Sequence, residues 1–318
     1  MVSLRSSSTA VPLPICWHSH WLSASLTQAD QVRLSGMSQF SLSSFAPVAD
    51  QIFVAVAQPA GVNIGLIVGP EGALVIDTGS SPAQGAAIRA AAEAFAGVPV
   101  TSVLVTHWHY DHFFGLAGFA GLPSFGHENL LAWLGRPEAA QAALELGVEL
   151  NELASPTVTF SLAKVLNAGG RRVEALHFGP AHTDGDVVVY VPDAQLVFAG
   201  DLLESAGPPS FGPDCRLRDW PIALDGILGL TREETKIVPG HGPVMDRMDA
   251  FDQRSRISAL YGQVEYVIGL GKKVEDAYAA AEWPFDEATV RAALPVAYAQ
   301  LAAAGVTPKR QLPLLGTN

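Results

Sequence analysis

The sequence predicts a mixed α/β fold, and two features of the chain support this prediction. Short aliphatic runs separated by Gly- and Pro-containing turns come first, followed by a helical pattern and another strand-like run. Residues of the types that bind metal ions stand at the ends of several of these runs. An order of three strands, a helix and a strand, with such residues at the strand ends, is typical of a mixed α/β sandwich.

The elements of the first part of the chain are predicted from its hydrophobic pattern. Strands are expected over residues 52–57, 62–68, 73–77 and 100–105. A helix is expected over residues 82–96, because Ser81 can cap its start and Pro82 suits its first position.

The second part of the chain is predicted to begin and end with helices. Residues 113–150 have a helical pattern with breaks before Pro123 and Pro137, and Asp219 is expected to cap a helix that ends near residue 230. After about residue 250 the pattern is again helical, with interruptions at Pro284 and Pro295. Between these helices we expect strands over residues 157–162, 172–177, 187–191, 195–199 and 236–238.

Three regions follow from these patterns. Residues 1–36 are rich in Ser, Pro and Thr, so we expect a disordered leader in which His18 and His20 bind nothing. Residues 37–250 are expected to form the catalytic domain, and residues 251–318 a helical C-terminal extension. A simple packing role is the preferred interpretation of that extension, and a homodimer contact through its helices is the alternative.

Composition excludes several classes of partner. The chain has 318 residues, 16% of them charged, and a formal net charge of −12 without any run rich in Lys or Arg. This balance argues against a nucleic acid or an anionic membrane as the partner, because both need clustered basic residues. No apolar run reaches the length of about 18 residues that would suggest a membrane span. With only Cys16 and Cys215, a disulfide framework is excluded and a cytoplasmic location is expected.

One short segment contains four potential metal ligands directly after the strand predicted at residues 100–105. His107 and His109 are two residues apart, so in an extended backbone both side chains point to the same side. Asp111 and His112 would then face a neighbouring position. Three further residues of this kind follow at later strand ends: His182, Asp201 and His241. Strand-end loops on one edge of a sheet converge, so we expect all seven side chains to meet.

This pattern resembles the metallo-β-lactamase fold superfamily, in which His-x-His-x-Asp-His is followed by a strand-end His, a Gly-Asp and a Gly-His. The resemblance covers about residues 50–245 and is strongest to bacterial hydrolases of this fold that have no established substrate. It implies a four-layer αββα sandwich with two metal ions. The first ion would be held by His107, His109 and His182, the second by Asp111, His112 and His241, with Asp201 bridging both.

The same resemblance assigns a supporting role to Asp77, which would orient a ligand without binding metal itself. Zinc suits the imidazole and carboxylate ligands, as do iron and manganese. With two zinc ions, a hydroxide bridging them would attack an acyl carbonyl of a small-molecule ester, lactone, thioester or amide, and Asp111 is expected to be catalytic. Asp186 is expected either to support His182 or to form a plain turn.

Two other activities stay open at this point. Many zinc β-lactamases carry Cys where this chain has Asp201, which disfavours β-lactam hydrolysis as the main task but allows it as a side activity. A mononuclear iron oxidoreductase of the persulfide dioxygenase type would use the first position alone. A catalytically silent binding protein is disfavoured because all seven ligands are present.

The substrate pocket is predicted from the aromatic residues beside the ligands. Trp108 and Tyr110 are the main candidates, together with Phe113, Phe114 and a flap over residues 58–63. Three other residues of possible interest are expected to be peripheral: two structural histidines, His127 and His177, and Cys215 as a weak pocket candidate.

Overall fold

The computed structural model of the chain describes residues 40–306. The predicted leader over residues 1–36, with His18 and His20, therefore lies outside the described residues. The last 12 residues of the predicted C-terminal extension also lie outside them.

The first of two β-sheets has eight strands. In spatial order it runs β1-β3-β4-β5-β6-β7-β8, and β2 pairs with β3. Pairing is antiparallel from β1 to β5 and parallel from β5 to β8. Its strands are β1 (Ser41–Leu42), β2 (Ala46–Ala49), β3 (Ile52–Gln58), β4 (Val62–Gly69), β5 (Gly72–Ile76), β6 (Val100–Leu104), β7 (Ser124–His127) and β8 (Val158–Phe160).

The second sheet has five strands in the order β13-β12-β11-β10-β9. All its neighbours are antiparallel except β12 and β13, which are parallel. Its strands are β9 (Ala163–Ala168), β10 (Arg171–Leu176), β11 (Val188–Val191), β12 (Leu196–Gly200) and β13 (Lys236–Pro239).

Eight α-helices accompany the sheets in the described part of the chain. They are α1 (Pro82–Ala96), α2 (Tyr110–Phe113), α3 (Leu130–Trp133), α4 (Pro137–Leu146), α5 (Trp220–Leu230), α6 (Arg247–Gly269), α7 (Val274–Ala277) and α8 (Glu287–Ala303). Short 3₁₀ helices cover Phe114–Phe119, Leu150–Glu152, Pro192–Ala194 and Tyr278–Ala280.

The layers follow from which side chains are buried together. Helices α1 to α4 pack on the outer face of the first sheet, and α5 to α8 on the outer face of the second. The inner faces of the two sheets bury a third apolar cluster between them. The predicted αββα sandwich with C-terminal helices is therefore confirmed.

Strands β4 and β5 show why the sheets are buried on both faces. On β5, Ala73 and Val75 pack toward the helices, while Leu74 and Ile76 pack toward the second sheet. This alternation is the two-residue period of a strand. Because every residue is apolar or glycine, both faces can exclude water, as sheets covered on both sides require.

Helix α1 begins and ends as predicted. The Ser81 hydroxyl accepts a hydrogen bond from the Gln84 amide, and Gly97 closes the helix with a positive φ. Gly85 lies against the backbone of Gly115, where a Cβ on either residue would collide with the other segment. The two glycines thus allow α1 to pack closely against the segment that follows the ligand cluster.

Four local predictions were wrong or incomplete. The region predicted as helical over residues 113–150 contains strand β7, and strand β9 was missed. Pro295 does not interrupt a helix but lies inside α8, whose buried face packs on α6 and α7. Asp219 precedes α5, but its side chain makes no capping hydrogen bond.

The C-terminal helices share an apolar core with the second sheet. Side chains of α6 and α8, such as Ile257, Leu260 and Leu294, are buried in the same cluster as Val197 and Ile237 of β12 and β13. Helix α6 starts at Arg247, so the helical region begins slightly before the predicted boundary. No helix within residues 40–306 has the length and hydropathy needed to cross a membrane.

Candidate metal centre

The seven predicted ligands meet at one edge of the sandwich. His107 and His109 follow β6, His182 lies in the loop between β10 and β11, Asp201 follows β12, and His241 follows β13. Asp111 and His112 lie in α2, directly after the same β6 loop. Their convergence follows from the topology, because these strands deliver their ends to a common edge.

Three imidazoles form the first cluster. The His109 Nδ1 atom lies 3.0 Å from His107 Nε2 and 2.8 Å from His182 Nε2. Three nitrogens so close together, with Asp201 beside them, form a ligand group suited to a four-coordinate ion such as zinc.

Two imidazoles and a carboxylate form the second cluster. The Asp111 Oδ2 atom lies 3.3 Å from His241 Nε2 and 3.8 Å from His112 Nε2. The three ligand atoms lie within 4.8 Å of one another, so this group too can close on one ion.

Asp201 lies between the clusters and turns one oxygen to each. Its Oδ2 atom is 3.7 Å from His107 Nε2 and 3.5 Å from His182 Nε2. Its Oδ1 atom is 3.0 Å from His112 Nε2 and 3.6 Å from His241 Nε2. This is the arrangement expected of a bridging carboxylate. A Cβ at Gly240 would collide with Asp201 Oδ1, so only glycine fits at Gly240.

Two buried atoms that lack a regular hydrogen bond indicate that these residues are suited to binding metal ions. His112 Nε2 and Asp201 Oδ1 are both buried and, apart from their 3.0 Å contact with each other, neither makes a hydrogen bond of regular geometry within the described residues. Such atoms are rare, because a buried polar atom without a partner loses its interactions with water. A cation between them would satisfy both.

Asp77 orients His112. The Asp77 Oδ2 atom lies 2.8 Å from His112 Nδ1, which leaves Nε2 facing the second cluster. The other oxygen, Oδ1, accepts a 2.7 Å hydrogen bond from the Thr106 amide. Asp77 thus ties the start of the ligand segment to the end of β5, and it occupies the supporting position that the sequence predicted.

Asp214 gives His109 a corresponding partner that the sequence did not reveal. Its Oδ2 atom lies 3.2 Å from His109 Nε2, so Nδ1 is left to face the first cluster. Burial lowers the pKa of His109, but the Asp214 carboxylate outweighs burial and raises the pKa above its ordinary value. No motif marks Asp214, which lies in an irregular loop.

Asn63 fixes the loop that carries His241, and it too was missed. Its side-chain amide donates to Pro239 O at 3.0 Å and to Gly242 O at 2.8 Å. Its own backbone amide donates to Gly240 O at 2.8 Å. An amide side chain is suited to this task, because it can donate two hydrogen bonds to backbone carbonyls on either side of a ligand.

The loop of His182 is closed by Asp186. Both carboxylate oxygens of Asp186 accept hydrogen bonds from the Thr183 amide, at 3.0 and 2.8 Å, and the Thr183 hydroxyl donates at 2.6 Å. Burial raises the pKa of Asp186 to about 7. The contacts are those of a turn residue beside His182 and not of a direct partner of its ring.

Histidine protonation differs between the clusters. Burial lowers the pKa of His182 to about 4, and burial together with the charge of His112 lowers that of His107 well below its usual range. Burial also lowers the pKa values of His112 and His241, but Asp201 and Asp111 outweigh it and raise both well above 6.5. Apart from His109, the first cluster is therefore poor in protons, whereas His112 and His241 of the second cluster hold theirs more strongly.

An additional carboxylate, Glu204, lies beside the second cluster. One of its oxygens falls within 4.8 Å of ligand atoms of both Asp201 and His241. Burial and the negative charge of Asp201 raise the pKa of Glu204 well above its ordinary value. A divalent cation at this place would offset that penalty.

The aromatic residues beside the ligands are more buried than a substrate pocket would require. Trp108 has 7% of its surface exposed, and its ring packs against Trp133 at 4.9 Å between centroids. Phe113 and Phe114 are fully buried, so the prediction that they line a pocket is wrong. Tyr110, in contrast, is partly exposed.

The peripheral residues form no metal cluster among the described positions. The rings of His127 and His177 lie 4.2 Å apart, centroid to centroid, beside an open depression of about 670 Å³ on the far side of the His182 loop. Cys215 is buried, and burial with the nearby Asp214 charge raises its pKa to about 12, so its thiol is not activated.

Comparison with known proteins agrees with this geometry. The sequence profile described as the Metallo-beta-lactamase superfamily matches residues 57–245, which is more than half of the chain. The "Metallo-beta-lactamase type 2" of Bacillus cereus is 30% identical over 152 residues, covering 46% of this chain and 54% of that protein. The chain thus spans about half the length of these β-lactamase relatives.

Other relatives have different names. The "Probable metallo-hydrolase YqgX" of Bacillus subtilis is 29% identical over 163 residues, covering 49% of this chain and 75% of that protein. The "Acyl-coenzyme A thioesterase MBLAC2" of Homo sapiens is 27% identical over 209 residues, covering 56% of this chain and 72% of that protein.

Solved structures show the same fold. A metallo-β-lactamase from Pontibacter korlensis superposes with a TM-score of 0.55 at 24% identity, covering 69% of this chain and 99% of that one. The DIM-1 metallo-β-lactamase gives a TM-score of 0.58 at 18% identity, with the same coverage of both chains. With the profile match and the ligand geometry, these similarities show that the chain belongs to the metallo-β-lactamase superfamily.

Proposed function

We propose that the protein is a hydrolase that uses two zinc ions to cleave an acyl bond of a small-molecule substrate. The observation that carries this proposal is the position of Asp201, which turns one carboxylate oxygen to each of two complete ligand clusters. A bridging carboxylate of this kind favours two ions held side by side over a single ion.

Zinc ions bound there would supply an activated water at neutral pH and polarise the carbonyl that it attacks. The protein's own residues fix where this happens. Asp77 and Asp214 hold the rings of His112 and His109 so that the metal-facing nitrogens point inward. Burial raises the pKa of Asp111, but the charge of His112 outweighs it, so this carboxylate is ionised at neutral pH and can accept a proton from the attacking water.

The substrate class is proposed from the chemistry that the named relatives share. The β-lactamase name implies cleavage of a cyclic amide, and the thioesterase name implies cleavage of a thioester. Both reactions break an acyl bond. We therefore propose an ester, thioester, lactone or amide as the scissile group, with Tyr110 as the aromatic residue best placed to contact the substrate.

The mononuclear iron alternative uses only the first cluster. The second cluster argues against it, since Asp111, His112 and His241 form a complete set of ligands that such an enzyme would leave empty. β-Lactam hydrolysis remains a side activity in this proposal.

The test combines metal analysis with a substrate panel. Protein purified without added metal is expected to contain two zinc ions per chain and to hydrolyse at least one member of a panel of esters, thioesters, lactones and β-lactams. A chelator should abolish the activity, and zinc should restore it. His182→Ala should lose the activity, whereas His177→Ala, a nearby histidine outside both clusters, should keep it.

Two outcomes would overturn the proposal. One is a single iron per chain without hydrolysis, which would favour the oxidoreductase. The other is hydrolysis that survives complete removal of metal. The cytoplasmic location and the homodimer through the C-terminal helices stay predictions.

A further inference from the structure

Glu204 lies on the turn after β12, three residues beyond the bridging Asp201. Its carboxylate forms a third potential ligand group with Asp201 and His241, in which all three ligand atoms lie within 4.8 Å of one another. Glu204 is not one of the seven residues of the sequence pattern. It is a further carboxylate next to the second cluster.

The turn that carries Glu204 is fixed to the loop of His241. The amides of Ser205 and Ala206 donate to His241 O, at 3.1 and 3.3 Å. The Ser205 hydroxyl donates to Pro243 O at 2.6 Å. Because the two loops are joined at His241 and Pro243, the backbone of Glu204 cannot move away from His241 without breaking these hydrogen bonds.

A residue of helix α6 fixes the same turn through two hydrogen bonds. Gln253 of α6 is buried, and its Oε1 atom accepts a 3.0 Å hydrogen bond from the Glu204 amide. Its Nε2 atom donates to Leu202 O, also at 3.0 Å. One side chain therefore fixes the backbone on both sides of residue 203, and it links α6 to the metal centre.

We propose that Glu204 supplies an additional carboxylate contact to the ion at the second position, and that Gln253 is the positioning residue that holds Glu204 there. The proposal rests on the two-ion site proposed above. It gives the second position three carboxylates, from Asp111, Asp201 and Glu204, whereas the first position shares only Asp201. Oxygen-rich sites favour harder ions, so Glu204 increases the affinity of the second position for manganese more than for zinc.

The experiment measures metal affinity, independently of catalysis. Metal-free full-length protein is titrated with zinc, and separately with manganese, in competition with a chromophoric chelator, to give two dissociation constants per ion. Glu204→Gln is expected to weaken the second constant by roughly 10-fold or more for zinc, and by a larger factor for manganese, while the first stays unchanged. Glu234→Gln, an exposed glutamate away from the clusters, should change neither constant.

Gln253→Leu tests the positioning role. It leaves the carboxylate in place but frees the turn, so the second constant should weaken by less than in Glu204→Gln and the first should not change. A purely structural defect would weaken both constants and lower the Tm of the metal-free protein. If Glu204→Gln does not fold, Glu204→Asp keeps the charge but shortens the reach, and the same selective loss is expected.

The outcomes separate the two proposals. An unchanged second constant in folded Glu204→Gln or Glu204→Asp overturns the role of Glu204. A wild-type chain that binds one ion overturns both this role and the proposed function. Selective loss at the second position, in a protein that hydrolyses none of the panel, supports the role of Glu204 and overturns only the proposed hydrolase.

Discussion

The two proposed metal positions share Asp201, yet burial and charge shift most of their histidine pKa values in opposite directions. At the first position the pKa values of His107 and His182 are lowered by burial, so both rings are neutral at physiological pH. At the second position Asp201 and Asp111 outweigh burial and raise the pKa values of His112 and His241. On binding an ion, the first position would release a proton only from His109, whose pKa is raised, whereas the second would release protons from both His112 and His241.

This difference shows how the same types of ligand can form two metal sites with different electrostatics. The first position has three imidazoles and a partly exposed supporting carboxylate, with 18% of the Asp214 side chain exposed. The second combines imidazoles with carboxylates, and its supporting Asp77 side chain is only 3% exposed. Perturbations that remove negative charge should therefore affect the second position more than the first.

Asp201→Ala should have the largest effect, because this substitution removes the one ligand that both positions share. We expect loss of the second ion and a loss of hydrolysis greater than about 100-fold, since even indirect contacts to a metal are worth roughly 10–100-fold. Elemental analysis and rates on the best substrate of the panel measure both. Two ions and normal rates in the variant would exclude the bridging role.

Asp77→Asn should come next and should act on the second position alone. Asparagine can keep the contact with the Thr106 amide but is a weaker acceptor for His112, so the second dissociation constant should weaken roughly 10–100-fold. Chelator competition measures the constants. Asp193→Asn, which alters an exposed pair with Arg171, is the control. A loss confined to the first position would contradict the assignment.

The ligands were predictable from the sequence because their spacing is local or lies at strand ends. His107, His109, Asp111 and His112 fall in one segment, so their relation to β6 could be derived without knowledge of the rest of the fold. The fold class was also predictable, because a strand buried on both faces, such as β5, is a continuous run of apolar residues and glycine.

Apart from Asp77, the supporting residues could not be predicted, because only the tertiary structure brings them to the site. Asp214 is 105 positions from His109, and Gln253 is 49 from Glu204. Asn63 reaches carbonyls more than 170 positions away. None of these residues belongs to a ligand motif, and a lone Asp, Asn or Gln in a sequence usually indicates no more than a turn or a polar surface.

The errors in secondary structure have a similar origin. Strand β9 is an edge strand with four of its six residues exposed, so it has a weak hydrophobic pattern. Strand β7 is short, with the sequence Ser-Phe-Gly-His, and is held by its parallel neighbours β6 and β8. Pro295 is tolerated in α8 because Ala293, Leu294 and Ala297 are buried around it, and packing there outweighs local propensity.

The number of protons released when each position binds an ion provides a smaller but direct test of the difference between the two positions. His182, with a pKa of about 4, releases no proton between pH 6 and 8. The pKa is raised for one histidine of the first position, His109, and for two of the second, His112 and His241, so more protons should be released at the second position. The apparent affinity of the second position should therefore rise more steeply with pH.

The direction of this pH dependence follows from the linkage between proton binding and metal binding. In the metal-free protein, protonated His112 and His241 contribute stability that is fully present below the unfolded pKa of about 6.5 and is lost as pH rises through their raised folded values. An ion competes with these protons, so its binding strengthens over the same range. Calorimetry in two buffers of different ionisation enthalpy measures the protons released by each equivalent of zinc. Equal counts would remove the distinction between the positions.

Asp214→Asn should have the smallest effect and should act on the first position. The contact with His109 is longer than that of Asp77 with His112, 3.2 against 2.8 Å, and it is more exposed to water, which screens the charge. We expect the first constant to weaken by less than about 10-fold, at the lower limit for such partners. Fewer protons should also be released at the first position, because the carboxylate that raises the pKa of His109 most strongly is gone. Asp225→Asn, which alters an exposed pair with Arg254, should change neither quantity. If Asp214→Asn weakened binding as much as Asp77→Asn, burial of the supporting carboxylate would not be what distinguishes the two positions.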